Sequence, residues 1–170
     1  NLGVSTFGLS VDKDPILTSL VRLHWPRLSF HDNALTLTVS RILKAASGYD
    51  GIFLVAGTPC QPFSSLHTQQ GFSDSRSQVL SHFFSLRDRL SSTCSASQLR
   101  FHWLVEEVAS MTQSHREEIS ELAGSPPCLL IAADFGWVHR NRLVWGLDLE
   151  SAPPLPPAVE LICPGSALPD

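Results

Sequence analysis

Short apolar runs typical of β-strands alternate with stretches of helical period along most of this 170-residue chain. The strand-like runs cover residues 6–11, 28–30, 52–56, 101–105, 129–132 and 143–145. Between them, apolar side chains recur on one helical face, as in residues 79–90. Alternation of this kind is typical of a mostly parallel sheet with helices on both faces, so the sequence predicts an α/β fold.

The composition divides the chain into a folded region and a proline-rich end. The sequence is 43% apolar and 16% charged, which is typical of a globular domain, and 170 residues are enough to bury a core. After Glu150 the composition changes, because six of the 12 prolines fall between Pro153 and Pro169 without a clear period. We therefore expect residues 1–150 to form one domain and residues 151–170 to be a linker or tail.

Charge and cysteine content restrict the classes of function. The formal net charge is −4, which argues mildly against nucleic-acid binding because phosphate contacts normally need a basic surface. If the chain handles nucleic acid, its basic contacts must be local or lie in another part of the protein. The four cysteines form no Cys-x-x-Cys pair, so the sequence predicts no zinc site and reduced thiols in an intracellular compartment.

A loop with one cysteine follows the apolar run at residues 51–56. Residues 57–64 read Gly-Thr-Pro-Cys-Gln-Pro-Phe-Ser. The preceding strand fixes the backbone of this loop, and the two prolines that flank the cysteine limit its movement. Such a loop is a suitable place for a reactive thiol. Cys60 would act as a thiolate nucleophile, which requires a lowered pKa.

Chemically useful side chains fall at the ends of four successive predicted strands, namely Asp12, Asp32, Cys60 and Glu106. Ligands of open parallel sheets bind at the carboxyl ends of the strands, so these four side chains are expected to share one crevice. Each residue also has a structural explanation. The two aspartates could be helix N-caps, Cys60 could be a small buried hydrophobe, and Glu106 could be a solvated edge residue.

These positions also indicate what the crevice could hold. Asp12 and Asp32 suit a ribose hydroxyl pair and an adenine amino group, which together indicate an adenosine-containing cofactor. Glu106 lies in a partly apolar setting that could raise its pKa and let it act as an acid. Arg140 and Arg142 are two residues apart on a predicted strand, so they point to the same face. That face could bind an anion or a carbonyl oxygen, or it could be a solvated edge.

Over residues 9–146, this ordered set resembles the family of DNA methyltransferases that act on carbon 5 of cytosine. Residues 57–64 resemble the catalytic motif of the family, and residues 71–76 resemble the segment that follows it. Residues 106–108 read Glu-Glu-Val and resemble the family's Glu-Asn-Val. Residues 139–142 read His-Arg-Asn-Arg and resemble the His-Arg-x-Arg of the eukaryotic de novo branch. Residues 11–14 and 31–32 resemble the cofactor-contacting segments.

The resemblance implies a partial catalytic domain with the Rossmann-like methyltransferase fold, its sheet mostly parallel and incomplete. It also implies transfer of a methyl group from S-adenosyl-L-methionine to cytosine in DNA, with the target base flipped out of the duplex. The eukaryotic-type segment implies a location in the nucleus.

The same resemblance assigns roles to residues of this chain. Cys60 attacks ring carbon 6, Glu106 contacts ring nitrogen 3, and Arg142 holds the carbonyl oxygen on carbon 2 with support from Arg140. Charges placed in this way stabilise the developing anion. The positions that match the cofactor site of the family are Asp12, Asp32, Pro59 and Phe63.

The chain also departs from the family pattern. Its first residues show no Phe-x-Gly-x-Gly motif, so we expect the chain to start just after that motif. The last motifs and the target-recognition region are absent from the sequence as well. Glu107 replaces the usual Asn, and Asp12 replaces the commoner Glu. Two alternatives therefore stay open. One is a tRNA cytosine-5 methyltransferase, and the other is an inactive remnant or accessory domain of the same fold.

Overall fold

The computed structural model describes residues 8–131 and 140–146. Within these residues the chain forms ten helices and strands of regular structure, in the order β1 Leu9–Val11, α1 Pro15–His24, β2 Ser29–His31, α2 Val39–Ala45, β3 Gly51–Gly57, α3 Gln78–Ala96, β4 Arg100–Val108, α4 Gln113–Ala123, β5 Cys128–Ile131 and β6 Asn141–Trp145. Short 3-10 helices cover Ala34–Thr36, Gly71–Ser73 and Ser75–Ser77. No helix in this part of the chain has the length and apolar character needed to cross a membrane.

Local side-chain contacts explain where several helices begin and end. Asp14 caps the N-terminus of α1 by accepting hydrogen bonds from the backbone N–H groups of Ile16 and Leu17, and a proline occupies the first turn. Thr112 caps α4 in the same way. Helix α4 ends at Gly124, which adopts a left-handed conformation with φ of 76°.

The strands form two sheets, and the larger one confirms the predicted α/β fold. Its strand order is β3-β4-β6-β5. Strand β3 pairs in parallel with β4, whereas β6 runs antiparallel to both β4 and β5. Three of its four strands therefore point in one direction, with β6 inserted against them. The smaller sheet is the parallel pair β1 and β2.

Helix α3 contributes to two apolar clusters that join these sheets. In the first cluster, Phe83 and Phe84 pack with buried residues of β4 and β6, including Trp145. In the second, Leu86 and Leu90 pack with residues of α2, and partly buried side chains of β1 and β3 contact the same cluster. One face of the larger sheet is therefore covered.

The opposite face of β3 is open in the described part of the chain. Phe53 and Val55 are 64% and 56% exposed, which agrees with the prediction that the fold is incomplete. Residues 1–7, 132–139 and 147–170 lie outside the described residues, and they include the ends of two predicted strands and the whole predicted proline-rich tail.

We predict that the substitution Leu90→Ala destabilises the protein by about 2–5 kcal/mol, because it leaves a cavity where α3 joins the two sheets. Urea unfolding of the full-length protein would measure the change in free energy. Leu23→Ala is the matched control, since Leu23 is helical as well but 75% exposed. An equal loss for both variants would contradict the assignment of Leu90 to the core.

Candidate active site

The loop after β3 places Cys60 at the carboxyl end of the larger sheet. Strand β3 ends at Gly57, and the backbone turns directly after Cys60. The carbonyl oxygen of Cys60 accepts hydrogen bonds from the backbone N–H groups of Phe63 at 3.0 Å and Ser64 at 2.8 Å. The side chain of Cys60 is a free, half-buried thiol that packs against the first apolar cluster. The thiol is therefore held by a rigid turn and remains partly accessible.

A second set of contacts ties this turn to the segment between β4 and α4. The side-chain amide of Gln69 donates hydrogen bonds to the carbonyl oxygens of Phe63 at 3.0 Å and Ser110 at 3.1 Å. The hydroxyl of Ser110 accepts a hydrogen bond from the backbone N–H of Ser65 at 3.3 Å. Gln69 adopts a positive φ of 49°, which is uncommon for a residue with a side chain. The sequence reading missed Gln69 and Ser110, because neither lies in a motif or at a strand end.

Glu106 and Arg142 lie beside this loop and form an ion pair. Their strands bring them together, since Gly57 is the register partner of Glu106 and Val108 is the partner of Arg142. A Cβ atom placed on Gly57 would lie 3.2 Å from a carboxylate oxygen of Glu106. The Glu106 carboxyl group therefore sits over the end of β3, three residues before Cys60. The two side chains stay partly accessible, at 34% for Glu106 and 19% for Arg142.

Arg140, the second predicted arginine, is exposed and precedes β6, which begins at Asn141. The expectation that Arg140 and Arg142 share one strand is therefore wrong, because the strand is too short to include Arg140. His139, which completes the His-Arg-x-Arg segment, lies outside the described residues.

Glu107 is the most perturbed acid of this region, and the sequence reading did not identify it as such. Its side chain is only 1% exposed. It accepts hydrogen bonds from the Thr58 hydroxyl at 2.5 Å and from the Val108 backbone N–H at 3.0 Å. Burial raises the pKa of Glu107 to about 7, although these two hydrogen bonds act in the opposite direction.

The structure places Asp12 and Asp32 together at a cavity of about 320 Å³. Asp12 directly follows β1, and Asp32 directly follows β2. Neither Asp12 nor Asp32 is the N-cap of the helix that follows it. Asp14 caps α1, and Asn33 caps the 3-10 helix that follows β2. Both carboxylates are thus at the carboxyl ends of paired parallel strands.

Two arginines from neighbouring helices also line this cavity. Arg22 of α1 stacks over the ring of Phe30 at 4.7 Å from its centroid, and Arg41 of α2 donates a hydrogen bond to the Phe30 carbonyl at 3.1 Å. Neither arginine lies in a recognisable sequence motif, since both occur on ordinary amphipathic helices. Cys60 and Glu106 are not among the residues that line this cavity.

The two remaining predicted cofactor residues flank Cys60. Pro59 is half-buried directly before it. Phe63 has no exposed surface, and its ring makes edge-to-face contacts with Phe72 at 5.5 Å and His115 at 5.6 Å. Phe63 therefore belongs to the core in this structure and does not line the cavity at Asp12.

The segment at residues 71–76 forms a second support for the cysteine turn. Gly71 donates a backbone hydrogen bond to the carbonyl oxygen of Pro62 at 2.9 Å. Asp74 is 8% exposed and caps the following 3-10 helix by accepting from the backbone N–H of Arg76. Hydrogen bonds from the Arg76 side chain and backbone lower the pKa of Asp74 to about 2, so the carboxylate is ionised at neutral pH.

Comparison with known proteins shows a family similarity over part of this chain. Residues 29–89 match the family model of the C-5 cytosine-specific DNA methylases. This segment includes Asp32 and the whole cysteine loop, so the predicted resemblance is confirmed for that part of the chain. No curated protein sequence matches the chain.

Solved structures confirm the fold. A protein from E. coli described as a DNA modification methyltransferase encoded within a prophage has 22% identity and a TM-score of 0.57, over 81% of this chain and 38% of that one. A mutant of DNMT2 from Spodoptera frugiperda has 19% identity and a TM-score of 0.55, over 80% and 40%. The methyltransferase EhMeth from Entamoeba histolytica has 13% identity and a TM-score of 0.58, over 84% and 45%.

This chain covers less than half of each matched structure. The chain spans about two fifths of the length of each. At these identities the likeness establishes a methyltransferase-type α/β fold.

We predict that Gly71→Ala destabilises the protein clearly more than Gly124→Ala. Both glycines have positive φ, at 55° and 76°, so an alanine is strained by about 1–2 kcal/mol at each. A Cβ atom at Gly71 would in addition lie 2.3 Å from the His115 ring, whereas a Cβ atom at Gly124 meets nothing within 4 Å.

Thermal or urea unfolding of both variants would measure the difference. The double variant with His115→Ala should recover part of the loss at Gly71, because the steric conflict is removed. Equal destabilisation by the two glycine substitutions would show that His115 does not restrict Gly71.

Proposed function

We propose that this chain is the central catalytic portion of a methyltransferase that transfers a methyl group from S-adenosyl-L-methionine to carbon 5 of cytosine in DNA. The observation that carries the proposal is the half-buried thiol of Cys60 in the loop after β3, with the Glu106–Arg142 ion pair over the end of that strand. The match of residues 29–89 to the cytosine-specific family supports the same conclusion.

The ion pair fits one edge of a cytosine ring. Ring nitrogen 3 and the carbonyl oxygen on carbon 2 are adjacent, so their binding partners must also be adjacent. Glu106 and Arg142 satisfy this requirement because they contact each other. A protonated Glu106 would donate to nitrogen 3, and the Arg142 guanidinium would donate to the carbonyl oxygen.

In this proposal the Cys60 thiolate attacks ring carbon 6. The turn after Cys60 fixes the sulfur, and the electron pair displaced from the ring moves toward the edge held by Glu106 and Arg142. Donors that are already in place stabilise the anion that develops there. Attack makes ring carbon 5 nucleophilic. Once carbon 5 carries the methyl group, loss of its proton to a base would expel the Cys60 thiolate and restore the ring double bond.

The cavity at Asp12 and Asp32 fits the adenosine part of the cofactor. Its volume of about 320 Å³ lies at the lower end of the range for small-molecule sites. The two carboxylates would accept hydrogen bonds from the ribose hydroxyls and the adenine amino group. Pro59 lies in the loop before the thiol, where it would limit movement on that side. When bound, S-adenosyl-L-methionine supplies the electrophilic methyl group.

DNA is proposed as the substrate, and the nucleus as the location, from the His-Arg-x-Arg segment at residues 139–142. A tRNA substrate is the competing possibility. Equal amounts of cytosine-containing duplex DNA and tRNA in one methyl-transfer assay of the full-length protein would separate the two. Methyl transfer to tRNA alone would overturn the assignment to DNA.

We predict that Cys60→Ser abolishes methyl transfer and prevents a covalent adduct with DNA that contains 5-fluorocytosine. The fluorine on carbon 5 blocks the elimination step, so the wild-type protein should remain attached to the DNA through Cys60. Denaturing gel electrophoresis of the full-length protein would detect the adduct. Cys128→Ser is the matched control, because Cys128 is also a partly buried free thiol but lies on β5. An adduct that survives Cys60→Ser would rule out Cys60 as the nucleophile.

We predict that Asp12→Ala weakens S-adenosyl-L-methionine binding about tenfold or more, because a hydrogen bond to a charged acceptor contributes about 1.5–3 kcal/mol. Isothermal titration of the full-length protein would measure the dissociation constant. Asp50→Ala is the control, since Asp50 is 90% exposed and does not line the cavity. Equal affinities of the wild-type protein and Asp12→Ala would place the cofactor elsewhere.

A further inference from the structure

The two consecutive glutamates of β4 lie in opposite environments. Side chains alternate between the faces of a strand, so Glu106 and Glu107 point to different sides. Glu106 is partly accessible and pairs with Arg142, whereas Glu107 is 1% exposed and reaches Thr58 on the covered side of the sheet. The proposed reaction uses Glu106 and leaves this buried second carboxylate without a role.

The bond between Thr58 and Glu107 extends the connection between β3 and β4 toward Cys60. The last register pair of these strands is Gly57 with Glu106. Thr58 is the next residue, is 9% exposed, and donates to the Glu107 carboxylate at 2.5 Å, within the range of charge-assisted O–H···O bonds. The chain is thus held to β4 two residues before the thiol. A buried carboxylate is costly unless it is hydrogen-bonded, which makes this contact hard to lose.

The charged groups that act on Glu107 in the described structure come from its own strand and from β6. The neighbouring Glu106 carboxylate raises the pKa of Glu107, and the Arg142 guanidinium lowers it. An ionised Glu107 accepts hydrogen bonds from both Thr58 and Val108. A protonated Glu107 must place a hydrogen on one oxygen, so one of these bonds is reversed or weakened.

We propose that Glu107 is a positioning residue that acts through Thr58 to fix residues 57–60 and thereby the approach of the Cys60 thiol to its substrate. The inference rests on the proposed function for the identity of the substrate. The effect on the thiol itself is independent of that function, because it follows from the contacts of the loop alone.

The test compares Thr58→Val, Thr58→Ser and Glu107→Gln in the full-length protein. Thr93→Val and Glu117→Gln are matched controls, since both residues lie at partly or fully exposed helical positions away from the loop. Thr58→Val should lower kcat about tenfold at unchanged KM for the cofactor, because it loosens the position of the nucleophile. Thr58→Ser keeps the hydroxyl and should retain most of the activity.

Glu107→Gln should also change the pH dependence of methyl transfer. We expect the wild-type kcat to rise as pH increases through about 7, because ionised Glu107 anchors Thr58 more strongly. Glu107→Gln should lose this ionisation, and the pH profile of Glu117→Gln should match that of the wild-type protein. The proposal would be overturned if Thr58→Val had the same kcat as the wild-type protein. It would also be overturned if Glu107→Gln had the same pH profile as the wild-type protein.

Alkylation of Cys60 by iodoacetamide separates this proposal from the function itself. A loosened loop exposes the half-buried thiol, so Thr58→Val should be alkylated at Cys60 at least about threefold faster than Thr93→Val. If the wild-type protein transfers no methyl group, the proposed function fails, and the alkylation rates still decide on the role of Glu107. Equal rates of Cys60 alkylation in Thr58→Val and Thr93→Val would show that the hydrogen bond between Thr58 and Glu107 does not control access to the thiol.

Discussion

The parallel pairing of β3 with β4 is the interaction on which the candidate site depends. Its register places Gly57 opposite Glu106, so the chain leaves β3 beside that carboxylate just before it reaches Cys60. The same register directs Glu106 toward Arg142 and Glu107 into the core. A shift of one residue would exchange these environments, because it moves every side chain to the other face of the sheet. The chemistry proposed for Cys60 therefore requires this one register.

Helix α3 stabilises the pairing because it packs across both apolar clusters. Its aromatic residues Phe83 and Phe84 contact Trp103 of β4 at ring-centroid distances of 6.2 and 6.1 Å. About two turns further along α3, Leu90 belongs to the cluster that partly buried residues of β1 and β3 also contact. The cavity at Asp12 and the loop at Cys60 thus depend on one core, although they are lined by different residues. Substitutions that weaken the packing of α3 should therefore affect both the cavity at Asp12 and the loop at Cys60.

Much of the fold can be predicted from the sequence. The direction of a strand and the choice of which of its side chains are buried cannot. Periodicity locates β3, α3 and β4 because long apolar repeats dominate these segments. The direction of β6 cannot be read in this way, since parallel and antiparallel strands share a period of two. The run Leu104-Val105-Glu106-Glu107-Val108 likewise lacks an alternation that shows which carboxylate is buried. The reading favoured Glu106, and the structure buries Glu107 because Val105 and Glu107 share the covered face.

The local charges at Cys60 bear on how a negatively charged polymer could reach this site. Arg142 is paired with Glu106, so the two formal charges beside the thiol cancel. Such a pair attracts a phosphate chain weakly, whereas in the proposed function a protonated Glu106 and Arg142 would both donate to the acceptor atoms along one edge of a neutral cytosine ring. In the proposed function, the site would therefore bind a base rather than a backbone. Because the net charge is −4 over the whole chain, a nucleic-acid substrate would need local clusters of arginine, or basic groups supplied from outside this chain, to attract its phosphates.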